Sequence, residues 1–199
     1  MTATRERPRV VLPKEWSFDL ADEMVDRIRN EFDPHEAVSE LAPKVAGKPL
    51  GEAQQIAEAY FADYGQRWME RSLELGKQYR DRAYETLLAA AAKTGEMAFP
   101  FIPERFIEIA YLGTQPIYSL PIAENTKSDF AYKMVFCDTI EAMREKCGDE
   151  LAERLPCRQA CLTAATLAFT AHGFDVEVTQ ESSLVDGEFC HFKVRRKEA

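Results

Sequence analysis

The sequence predicts an α+β protein: an N-terminal helical layer packed on a small, mainly antiparallel sheet that closes with a C-terminal hairpin. Three observations carry this. From Leu50 to Lys93 there is no proline, and apolar or aromatic residues recur at helical spacing; after Pro100 and Pro103 the pattern turns from helical to alternating; and the last thirty residues read as two strands around Asp186-Gly187. At 199 residues the chain is expected to be a single domain, with a helical part over 1–96 and a mixed α/β part over 97–199.

Ser17 is expected to precede a first helix, because Leu20, Met24, Val25, Ile28 and Phe32 share one face while Asp19, Asp22 and Glu23 crowd the first turn, where the helix dipole favours anions. Asp33-Pro34 stops it. A short helix is expected from Pro34 to Val45, and Gly47-Lys48-Pro49 breaks the chain again. The proline-free run then makes one long helix or two nearly continuous ones. Gly65 and Gly76 interrupt it at about 1 kcal/mol each relative to alanine, which points to a kink or a close backbone contact. Its aromatic stripe, Tyr60, Tyr64, Trp68 and Tyr79, reads as core or as a subunit interface; Tyr64 and Trp68 are also the candidates to wall a pocket for a small flat ligand.

In the second half, Phe106–Tyr111 reads as a strand, Gly113–Ser128 as a loop and Phe130–Phe136 as another strand. Thr139–Lys146 and Asp149–Arg154 read as helical, and Pro156 as the first turn of a helix that stops at His172-Gly173. The hairpin pairs Phe174–Gln180 with Glu188–Arg195. In its second strand Cys190, Phe192 and Val194 face the core, and His191, Lys193 and Arg195 face the other way.

The 25 basic and 34 acidic residues leave a net charge of −9, with acid in excess in both halves. That disfavours a nucleic-acid partner, which needs a concentrated basic face. The dense basic run Arg195-Arg196-Lys197 reads as a solvated strand end. No stretch is apolar enough for a signal peptide or a membrane span, and five cysteines, an odd number, fit free thiols in a reducing cytoplasm. The expected location is cytoplasmic, with no membrane partner.

All five cysteines lie in the second half. Cys157 and Cys161, four apart on a helix, present their side chains on one face; they are either small core fillers, a thiol pair for one metal ion, with zinc or manganese as the expected cofactor, or a nucleophile with its resolving thiol. A first-turn position behind Pro156 and the neighbouring Arg158 single out Cys157 as the expected thiolate. Cys137-Asp138 stands at a strand-to-helix junction, with Asp138 expected to cap the next helix. Of the three histidines, His35 falls in a turn, His172 compensates a helix dipole, and His191 is the candidate acid/base. Phosphate-binding glycine loops, Gly-x-Ser-x-Gly and His-Glu-x-x-His are absent from the sequence.

The order Val135-Phe136-Cys137, then Cys157 opening a helix, then His172-Gly173-Phe174 leading to Ser183-Leu184-Val185-Asp186-Gly187-Glu188-Phe189-Cys190-His191-Phe192, resembles the L-2-amino-thiazoline-4-carboxylic acid hydrolase family. The Gly187–Phe192 ending is also similar to that of 4-vinyl reductase domains, with Glu188 where those have aspartate. The first resemblance, which spans the chain from Phe106 onward, implies a hydrolase opening a carbon–nitrogen bond in a small sulfur- and nitrogen-containing ring or cyclic amide. Cys157 or Cys137 would be the nucleophile or metal ligand, His191 the acid/base, and Arg158 the partner of a substrate carboxylate. The second implies a module that binds a hydrophobic or tetrapyrrole-like small molecule without catalysis. A third class is an interaction protein that forms a homodimer through the long aromatic helix.

Overall fold

The computed structural model describes residues 20–80, 82–94 and 99–197, so the expected cap Ser17 and the acidic Asp19 lie outside the described residues. The chain is α+β. Among the described residues eight helices surround one face of a four-stranded antiparallel sheet, and one continuous hydrophobic core takes side chains from both halves.

The N-terminal layer follows the sequence closely. Helix α1 (Asp22–Glu31) buries Met24 and Ile28, and α2 (Pro34–Val45) starts where expected because Asp33 is its cap: the Asp33 carboxylate accepts the backbone N–H groups of His35, at 2.7 Å, and Glu36, at 3.1 Å. The proline-free run divides into α3 (Leu50–Gln78) and α4 (Arg82–Thr94). Neither glycine of α3 kinks it out of the helix; both allow close approach. A Cβ on Gly65 would run into the backbone of Ala160, and one on Gly76 would lie 2.6 Å from the Phe106 ring. The aromatic stripe of α3 is used inside the protomer: the Tyr60 hydroxyl donates to the Ala37 carbonyl of α2, the Tyr64 hydroxyl donates to the Phe32 carbonyl, Trp68 packs on Tyr111, and the Tyr79 ring lies beside the Arg27 guanidinium of α1.

The segment Phe106–Tyr111 is not a strand. It lies inside α5 (Phe101–Thr114), which buries Ile102, Phe106, Ile107, Ile109, Ala110 and Tyr111. A helix buried on nearly all sides has no polar face to mark its period, so a short apolar run within it reads as a strand. The first strand instead comes from the expected loop, as β1 (Ile122–Asn125), followed by β2 (Asp129–Met134). Helices α6 (Asp138–Cys147), α7 (Asp149–Ala152) and α8 (Arg158–Thr170) lead to the hairpin of β3 (Val176–Ser182) and β4 (Cys190–Arg196). Strand order is β1-β2-β4-β3, so the C-terminal strand sits inside the sheet. Register places Phe130, Tyr132 and Met134 opposite Val194, Phe192 and Cys190, which builds the apolar face that carries the helices. The basic C-terminus is neutralised: Arg195 pairs with Asp129 and Lys197 with Asp175, while Arg196 lies over the Phe174 ring.

On α5, Glu104 is half-buried one turn before Glu108 and accepts a hydrogen bond from the Asn125 side-chain amide of β1. Burial, and then the neighbouring Glu108 charge, push its carboxyl from 4.5 up to about 7. The folded chain thus holds this proton more tightly than the unfolded chain does. Stability is full below about 4.5, falls as pH rises toward 7, and is flat above that. Glu104→Gln is expected to raise the melting temperature by a few degrees at pH 8 and to leave it unchanged at pH 4, read by thermal unfolding across pH.

Candidate functional site

Helix α8 begins behind Pro156, with Cys157 as its cap residue and Arg158 as its first helical residue. It packs against α3, where Ala160 sits on Gly65, and its other buried residues are mostly small: Ala164, Ala165 and Ala168. Because those residues are small, the two helices approach closely along that seam. The larger side chains beyond it, Tyr64 and Trp68 on α3, are left facing a space that α8 does not fill.

That space is a cavity of about 40 Å³. Cys157, Cys161 and Arg158 of α8 line one side, and Cys137 and Thr139 at the start of α6 line another. Met134, Gln180, Cys190 and Phe192 of the sheet form the floor, and Phe61, Tyr64 and Trp68 of α3 the opposite wall. Four of the five thiols, drawn from separate stretches of the second half, share one hollow closed by the long aromatic helix. Cys147 is not among the lining residues.

Electrostatically the hollow is neutral except at one point. Burial pushes all four thiols up, and for Cys157 the nearby Cys137 and Cys190 sulfurs add to it. The expectation of a Cys157 thiolate is thereby reversed: the loss of solvation at the sulfur outweighs both the helix terminus and Arg158. Burial raises Tyr64 and Tyr111 as well. The Tyr64 hydroxyl donates to the Phe32 carbonyl at 3.1 Å, and the Tyr111 and Tyr132 hydroxyls are 3.2 Å apart, so these polar ends are committed to the protein. Trp68 differs. Its ring packs edge-on against Tyr111 at 5.0 Å, and its buried indole N–H has no hydrogen-bond partner among the described residues. Arg158 is the sole charged side chain among the described residues that line the cavity, and it makes no ion pair with any described residue.

The structure therefore brings together Cys137, Cys157, Cys161, Arg158, Tyr64 and Trp68, and leaves His191 out. His191 follows Cys190 on β4 and so points to the other face of the sheet, where it stands opposite Lys133 and meets the Phe189 ring edge-on. Asp138 is not a cap. It is the first residue of α6, and its backbone N–H is taken by the Gln115 side-chain oxygen at 2.8 Å. His172 places its Nδ1 2.7 Å from the Ala168 carbonyl in the last turn of α8; burial lowers its pKa, the hydrogen bond to that carbonyl opposes the shift, and its ring stacks on Phe106 at 4.9 Å. Among the described residues there is no group of three or more His, Cys, Asp or Glu placed to hold a metal ion, so the Cys157/Cys161 pair gains no further ligand of these types. Sequence reasoning missed Tyr111, hidden in the misread strand, and Gln115, a buried amide just before Pro116 that ties the end of α5 to the start of α6.

No family model matches the chain, and no curated protein matches it. Among solved structures, it is similar to an Fe(II) unliganded H-NOX protein mutant from K. algicida, at 12% identity over 88% of this chain and 94% of that chain, with a TM-score of 0.38. A likeness at that level carries no argument about function. Among the described residues no helix is long and apolar enough to cross a membrane.

Proposed function

We propose that this chain binds a small, flat, mostly apolar molecule with one anionic end, and that it does so without catalysis. The observation that carries the reading is the cavity itself, an apolar hollow walled by Trp68, Tyr111 and Phe192 with Arg158, the one cation among its described lining residues and without an ion-pair partner among the described residues, on its rim. Size limits the ligand. On the same measure one water takes roughly 10–15 Å³, so about 40 Å³ admits a few waters, or one small ring once soft side chains such as Met134 and the cysteines yield.

Binding is favoured over hydrolysis because a thiol-based hydrolase needs a thiolate and a base beside it. Burial pushes all four thiols toward the protonated form, and no His, Asp, Glu or Lys lies among the described lining residues. The Cys157/Cys161 pair, Cys137 and His191, candidates for nucleophile, metal ligand and acid/base under the hydrolase resemblance, therefore take no catalytic role in this reading. Cys137, Cys157 and Cys161 act instead as polarizable wall.

The test is calorimetric titration with benzoate and with its uncharged relative benzyl alcohol. Saturable binding of one benzoate per chain is expected. Arg158→Gln should weaken benzoate about fivefold, the effect of losing roughly 1 kcal/mol from a solvent-exposed charge contact, and leave benzyl alcohol within twofold. The fivefold difference should shrink in 1 M salt. Equal loss for both probes, or no saturable binding of either, overturns the assignment.

A further inference from the structure

We infer that the connection between β3 and β4, residues 183–189, is a latch that closes when the cavity fills, with the Cys190 sulfur as its catch. This rests on the ligand-binding reading above. The Cys190 sulfur lines the cavity and also accepts a backbone hydrogen bond from the connection: Leu184 N–H donates to it at 3.3 Å. The same side chain thus forms part of the cavity floor and ties down the middle of the connection.

Three features place the connection under control of that bond. The pairing of β3 with β4 slips between Gln180 and Ser182, and Gln180 lines the cavity beside Cys190, so the ladder is irregular where the wall meets the connection. At its far end the connection is held by the Ser182 hydroxyl, which donates to the Phe189 carbonyl at 2.8 Å. Between these points Leu184 and Val185 are only partly buried against the core. Within the connection Val185 N–H donates to the Ser183 hydroxyl and Asp186 N–H to the Ser183 carbonyl, so the weak Leu184–sulfur bond is the link that ties this turn to the cavity floor; a ligand packed on Cys190 restricts its rotamers and strengthens that link.

The connection also has an outward side. Cys190 faces the cavity, while its neighbours Phe189 and His191 stand on the opposite face, with the Lys133 ammonium 4.1 Å from the Phe189 ring centre and the His191 Nε2 buried without a partner among the described residues. Val135 and Phe136, exposed by 55% and 39%, continue β2 just past the residue paired with Cys190. Closing the latch therefore changes the surface next to these residues as well as the cavity, which gives ligand occupancy a readable outcome outside the pocket.

Amide exchange measured by NMR on the full chain, with benzoate as the probe, tests this. Saturating benzoate is expected to slow exchange at Leu184 at least threefold and to protect Cys190 from iodoacetamide in parallel, while Ala131 in β2 stays unchanged. Cys190→Ala, measured at benzoate saturation set by its own titrated affinity, should lose the slowing, and Cys190→Ser, which keeps an acceptor, should retain part of it. Both wild-type measurements stand whether or not the alanine variant folds. If benzoate binds and Leu184 exchange is unchanged, or slows equally in Cys190→Ala, the latch is overturned and the binding assignment survives. If benzoate does not bind, both fall together.

Discussion

Replacing Gly65 with alanine will cost the folded chain about 3 kcal/mol and damage the cavity as well. The Cα of Gly65 lies so close to α8 that an added Cβ collides with the Ala160 carbonyl and Cα, which are backbone atoms and cannot rotate away. Either α3 and α8 separate along their whole seam or one of them bends; overpacking of a close-packed core costs about 1–3 kcal/mol, and a backbone clash sits at the upper end of that range. For a chain of this size that lowers the melting temperature by roughly 6–12 °C. Glycine at 51, by contrast, has open space where a Cβ would go, so Gly51→Ala should leave stability unchanged or raise it slightly. Equal melting temperatures for the two variants would show that the α3–α8 seam does not depend on that approach.

Filling the cavity should abolish binding and leave the chain folded. Cys161 lies one turn into α8, half-buried and lining the hollow. Cys161→Leu adds apolar volume where there is empty space, so the expected change in stability is within about 1 kcal/mol. The same volume takes the place of a ring-sized ligand, and benzoate affinity should fall at least tenfold. Cys157→Ala enlarges the hollow and should bind benzoate within a few-fold of the parent chain. Both are read by calorimetry beside thermal melts. Unchanged affinity in Cys161→Leu would mean that the ligand sits elsewhere.

The N-terminal layer is legible in the sequence because its signals are local. Asp33-Pro34 both ends α1 and starts α2, and the one-sided apolar pattern of α1 needs only a single neighbouring surface to be satisfied. The hairpin is legible for the same reason: with one face on the core and one in solvent, strict alternation along β4 is enough to put Cys190 and His191 on opposite sides. Helix α5 is not legible, since Phe106, Ile107, Ile109, Ala110 and Tyr111 are buried on several sides at once and so lose their period. The alternation of β4 and the position of Cys157 hint that the thiols gather, but nothing local to them reveals that they stay protonated.

What the sequence determined by itself was the α+β class, the breaks between the early helices, the facing of β4, and the short list of residues with chemistry to offer. The tertiary structure alone decided that Gly65 meets Ala160, that Tyr111 and Gln115 complete the site, and that four thiols surround one apolar hollow. The physical reason is range. Caps, periodicity and strand alternation act over a few residues, whereas the solvation that sets a thiol's charge depends on every neighbour that displaces water, and here those neighbours come from α3, α6, α8 and the sheet.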